Sequence, residues 1–76
     1  MSEDNKLRVL IPHWIEHNQE HAEEFRRWAD VASEGVEDIL EAASTMVQVN
    51  EALGTALEKL GGPLPHKHLH PNDHQK

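Results

Sequence analysis

An all-α fold, an antiparallel helical hairpin dimerising into a four-helix bundle or coiled coil, follows from three observations on this sequence. Two long segments space their apolar residues in alternating steps of three and four, the period of a helix face. A single glycine-containing break separates them, and a connection that short makes two helices antiparallel neighbours. The chain is also too small to stand on its own core. It has 76 residues, 37% of them hydrophobic, and no cysteine. A domain of this size buries only about 60% of its unfolded surface, and disulfides, metals or partner chains usually supplement it. Without cysteine, a metal and a second copy remain.

The first helix is expected from about Leu7 to Ser33, with the seam Leu7, Ile11, Trp14, Asn18, His21, Phe25, Trp28 and Ala32. Its other face carries Glu16, Gln19, Glu20, Glu23, Arg26, Arg27 and Asp30, as a solvated face should. Pro12 costs a backbone hydrogen bond inside a helix, so residues before it are expected as a frayed or kinked turn. Ser33-Glu34-Gly35 breaks the pattern with a residue free to take positive φ. The second helix is expected from about Val36 to Leu60. Its seam is Val36, Ile39, Ala43, Met46, Asn50, Leu53, Leu57 and Leu60, and Gly61-Gly62-Pro63 ends it. Folding about Gly35 puts residues whose numbers sum to about 70 at one height. Trp28 then faces Ala42 and Ala43, Phe25 meets Met46, Trp14 meets Leu57, and His21 meets Asn50 close to Asn18. Residues 1–62 thus form the hairpin and residues 63–76 a flexible tail rich in histidine and proline.

Charge narrows the function. Fourteen acidic residues against seven basic ones give a net charge of -7 with histidine neutral. Nucleic acid and anionic membranes call for a basic stripe, and the one adjacent pair, Arg26-Arg27, follows Glu23-Glu24. Val9-Leu10-Ile11 is too short for a signal-peptide core or a membrane span, which gives a cytoplasmic expectation. No nucleophile–base pair, phosphate loop or acid–base carboxylate pair is present, so no enzymatic activity is expected. A di-iron bundle enzyme would need inward carboxylates on several helices, and the second helix offers only Asn50 near the level of His21.

Seven histidines remain to be explained. His13, His17 and His21 stand one helical turn apart, within about 80° of one another. With His21 in the seam, His17 about 40° and His13 about 80° toward the rim, they make a stripe that an ion can reach. Successive members rise about 6 Å, so three on one straight helix do not easily share one ion. A pair can, with the set completed by another chain; Glu20 and Glu24 could accept an imidazole N–H. These three residues are the candidate metal ligands. The competing reading is a purely structural coiled-coil module in which Asn18, His21 and Asn50 form a polar core layer that fixes register. His66, His68, His70 and His74 form a second cluster, suited to loose collection of divalent metals. Imidazoles suit nickel, cobalt, zinc and copper, while the absence of thiolates disfavours copper(I). Binding through neutral histidine weakens as pH falls through about 6.5.

The run His13-Trp14-Ile15-Glu16-His17-Asn18-Gln19-Glu20-His21 fits the pattern H-(W/F)-x2-H-x3-H. It resembles the signature of CooJ-type nickel chaperones, histidine-rich dimers that help mature nickel-dependent carbon monoxide dehydrogenase. It is similar, too, to an uncharacterised family of short helical-hairpin proteins. The resemblance implies a helical homodimer binding Ni2+ through His13, His17 and His21, with Trp14 packed beside the site. It also implies a nickel enzyme or its maturation factors as partner, and a histidine-rich C-terminus fits it.

Overall fold

A computed structural model describes residues 2–64. It contains two helices, α1 (Glu3–Ala29) and α2 (Val36–Leu60), packed against each other as a hairpin, with no strand among the described residues. No helix among them is long and apolar enough to cross a membrane.

The first helix begins four residues earlier than its apolar pattern suggested and ends four residues sooner. The early start has a polar cause. Ser2, in extended conformation, caps the helix by accepting the Asn5 backbone N–H on its Oγ at 3.0 Å. Glu3 and Asp4 in the first turn, with Arg26 and Arg27 in the last, complement the helix dipole. The early end is a tightening of the chain. Val31 N–H bonds to Trp28 C=O and Ala32 N–H to Ala29 C=O, three-residue steps that close the last turn before Gly35 reverses direction at φ 77°. The second helix has the expected bounds. Gly61, at φ 113°, ends it in the left-handed conformation, with Gly61 N–H on Glu58 C=O and Gly62 N–H on Leu57 C=O. This paired arrangement is the Schellman motif.

Pro12 lies inside α1, and the residues before it are helical, against the expectation of a frayed turn. Proline has no N–H to give the carbonyl four residues back, which here is Arg8. Leu64 supplies the missing donor: its N–H reaches Arg8 C=O at 3.3 Å. In return, Arg8 Nε donates to Gly62 C=O at 2.7 Å and its Nη2 to Gly61 C=O at 2.9 Å. Helix α1 is thereby fastened near its start to the end of α2.

Asn18 and Asn50 set the register. Asn18 Nδ2 donates to Asn50 Oδ1 at 3.0 Å, and Asn50 Nδ2 donates to Ile15 C=O at 3.0 Å. Residues whose numbers sum to 68, as these two do, then share a level. Ile11 is level with Leu57, Ile15 with Leu53, Ala22 with Met46, Phe25 with Ala43, and Ala29 with Ile39. Large meets small at the last three levels, which lets two backbones approach closely. The core is thin. Ile11, Ala22, Ala29 and Ala43 are the buried apolar residues among those described, and none of the large side chains is fully enclosed.

Candidate metal site

The inward stripe of α1 is Ile11, Ile15, Asn18, Ala22, Phe25 and Ala29, continued past its end by Ala32, all buried or half-buried. This corrects the expected seam, in which Trp14, His21 and Trp28 pointed inward. Trp14 is 43% exposed and Trp28 60% exposed, and the His21 side chain is 46% exposed. The reason is volume and polarity together. Alanines at 22 and 29 allow the close approach that the Asn18–Asn50 bond requires, whereas an indole or imidazole there would hold the helices apart. Hence the polar core layer consists of Asn18 and Asn50, and His21 is not part of it.

What lies outward is itself patterned. Leu10, Trp14, His17, His21, Glu24, Trp28 and Val31 are all exposed and step by four and three without interruption. Each precedes an inward residue by one position, so this second series runs about 100° around the helix from the first. The same side of the hairpin carries Ala56, Val49 and Ala42 of α2, each within about 3 Å in height of Trp14, His21 and Trp28 respectively. Large aromatic groups on one helix thus flank small residues on the other.

His17 and His21 are close neighbours on this outward stripe. Their ring centroids are 5.3 Å apart with planes tilted by 40°. A metal bound at a ring nitrogen sits about 3.2 Å from the ring centre, so two imidazoles sharing one ion stand about 4.5–5.2 Å apart. The observed separation is close to that range. On its far side His21 stacks on Phe25, ring centroids 6.2 Å apart, which limits how far that imidazole swings. His21 Nδ1 also lies 3.8 Å from Glu24 Oε1. The spacing repeats, with Glu16 following His13 by three residues and Glu20 following His17. At 3.8 Å the Glu24 carboxylate is beyond hydrogen-bond distance of the imidazole and forms an ion pair with it only when the ring is protonated. His13 is exposed, one turn before His17.

Among the described residues no three His, Cys, Asp or Glu side chains converge closely enough to hold an ion. His17 and His21 could supply two imidazoles to one ion, fewer donors than a closed metal site needs. His66, His68, His70 and His74 lie outside the described residues.

The Arg8 fastening was not foreseen from the sequence. Its signal was available: Pro12 orphans the Arg8 carbonyl, and Arg8 stands at the level of the Gly61-Gly62 pair.

One family model, described as a domain of unknown function (DUF8180), matches residues 7–60. No curated protein and no solved structure matches the chain significantly.

Proposed function

The chain belongs to the DUF8180 family, and we propose that its hairpin is a nickel-binding accessory protein, a metallochaperone that works as a homodimer. The observation that carries this reading is the outward stripe of α1, an uninterrupted heptad series with two imidazoles 5.3 Å apart at its middle. A solvated face has no need of two tryptophans, a leucine and a valine in that register. A hairpin whose buried residues, among those described, are one isoleucine and three alanines does need a further surface to cover. A second copy, laid against the stripe, buries Leu10, Trp14, Trp28 and Val31 and brings further histidines near His17 and His21. His13, His17 and His21 are the ligands, Ni2+ is the cargo, and cobalt, zinc and copper compete for the same imidazoles. The recipient is a nickel enzyme or one of its maturation factors, in the cytoplasm. The acidic surface, at net charge -7, attracts the cation. Neither nucleic acid nor membrane suits that charge, and the chain is not an enzyme.

Nickel titration of the full chain tests this against a His17→Ala/His21→Ala variant, with the oligomeric state followed by sedimentation. The expected result is a wild-type dimer whose tightest nickel site weakens at least tenfold in the variant. Equal affinity in both proteins would sink the helix site. A dimer that binds no nickel would leave the stripe as a structural coiled-coil seam.

A further inference from the structure

The outward stripe of α1 contains one carboxylate, Glu24, within an aromatic and aliphatic series. It is 3.8 Å from His21 Nδ1, too far for a hydrogen bond. A second copy that covers the stripe takes Glu24 out of water, and a carboxylate so placed needs a donor. The direction in which that copy lies decides what Glu24 meets. Parallel pairing sets like on like across such a seam: Glu24 meets Glu24 and Trp14 meets Trp14. Antiparallel pairing matches the two alternating classes of seam position, so residues whose numbers sum to 38 or to 45 face each other. The first register lays Glu24 on Trp14 and, at the rim, Glu20 on Glu20. The second lays Glu24 on His21, Trp14 on Val31 and Trp28 on His17, with Glu20 beside Arg27 at the rim. Only there does each of these carboxylates meet an imidazole or a guanidinium. Val31, at 69% the most exposed large apolar side chain among the described residues, is then covered by an indole. Leu10 reaches the 30–35 turn of the other copy, where nothing lies within 4 Å of a Cβ built on Gly35.

We propose that a second copy docks antiparallel on the α1 stripe in this register, with Glu24 of the partner subunit as the third metal donor beside His17 and His21. This rests on the metal-binding homodimer reading above and adds the orientation of the copies and the identity of a missing ligand. The two-fold axis passes between His21 and Glu24, so every contact is made twice. Each chain lends its His17/His21 pair, with ring centroids 5.3 Å apart, to one site and its Glu24 to the other. No three such donors converge among the described residues of one chain, and the partner's Glu24 supplies the third. Two imidazoles and one carboxylate are an established donor set for divalent transition metals, with positions left open for water or for a recipient's ligand.

The test reads orientation and metal sharing separately, on the full chain, with circular dichroism confirming equal helicity. The sequence has no cysteine, so an introduced one carries a spin label alone. In metal-free Lys6→Cys protein the two labels of a dimer should stand about 50 Å apart, at about 1.5 Å of rise per residue. The register that sums to 38 gives about 40 Å, and a parallel dimer gives under about 25 Å. Glu20→Arg and Arg27→Glu should each weaken the dimer severalfold by sedimentation, and the two together should restore it. Sharing is read by mixing subunits. Glu24→Gln and His17→Ala/His21→Ala should each lose tenfold or more in nickel affinity at the tightest site. Refolded together, they form hybrid dimers in which the histidines of one chain meet Glu24 of the other, and about a quarter of the wild-type tight sites should return. A mixture that binds no better than its parts would mean that Glu24 serves its own chain or none, and the donor assignment fails. Labels at about 40 Å or closer would overturn the register while leaving the dimer and its histidine pair. Monomeric wild type would remove the homodimer reading and this pairing with it. Equal nickel affinity in wild type and His17→Ala/His21→Ala would end the stripe as a metal site, and the role of Glu24 as donor would go with it.

Discussion

Asn50 connects to α1 in two directions, accepting from the Asn18 amide and donating to the Ile15 carbonyl. Removing one side of a half-buried pair leaves the other unsatisfied, at about 1–3 kcal/mol. Asn50→Ala should therefore lower urea stability by about 1–2 kcal/mol, while Asn18→Leu/Asn50→Leu should be more stable than either single leucine variant. Such a pair of leucines would at the same time loosen register, which sedimentation would detect as mixed species. The glycines give a sharper contrast. Gly61 has φ 113°, and a Cβ there would meet the Arg8 guanidinium carbon at 3.2 Å. Gly54 is in mid-helix with nothing within 4 Å of such a Cβ. The same substitution should thus have opposite signs. Gly61→Ala is expected to destabilise by about 1 kcal/mol or more and Gly54→Ala to stabilise by about 0.5–1 kcal/mol, both read from denaturant midpoints.

At the scale of the element, α1 is a helix with two seams, and that is why its sequence was legible only in part. The series Leu7, Ile11, Trp14, Asn18, His21, Phe25, Trp28, Ala32 takes alternate members from two adjacent stripes, so its mean direction falls between them. Ile11, Asn18 and Phe25 were placed correctly; Trp14, His21 and Trp28 belong to the outward stripe. Hydrophobicity could not separate the two, because tryptophan is the more apolar choice and alanine the one that packs. The second helix has one dominant seam, and its bounds and inward residues agree with the expectation. The start of α1 was hidden because capping by Ser2 is polar and Pro12 argued against it. If the outward stripe is a dimer seam, Trp14→Glu or Trp28→Glu should leave the hairpin helical and convert it to monomer. Circular dichroism and sedimentation velocity report the two halves of that outcome, and an unchanged dimer would remove the stripe from the interface.

For the whole molecule, stability and association are one quantity if the hairpin pairs with a second copy. With so little buried within one hairpin, folding and dimerisation should be linked, and the melting temperature should rise with protein concentration. A ligand that binds the native state alone adds about 2.7 kcal/mol at a hundredfold excess over its dissociation constant. For a domain near this size that amounts to a rise of about 10 °C or more. Nickel at that excess should give such a shift in wild type and a much smaller one in His17→Ala/His21→Ala. A shift of equal size in the two proteins would assign the binding to other residues.

The bonds between Arg8 and the residues 61–64 also have a topological consequence. They bring the two ends of the paired helices together, so the hairpin is closed at both extremities: by the peptide chain at residues 30–35 and by hydrogen bonds at the other end. Two paired helices whose free ends lie together can be rejoined there and cut at the turn. Joining residue 64 to Ser2 through a flexible linker and opening the chain at Glu34 should give a circular permutant whose circular dichroism keeps both helices, with their Asn18–Asn50 register and the histidine stripe.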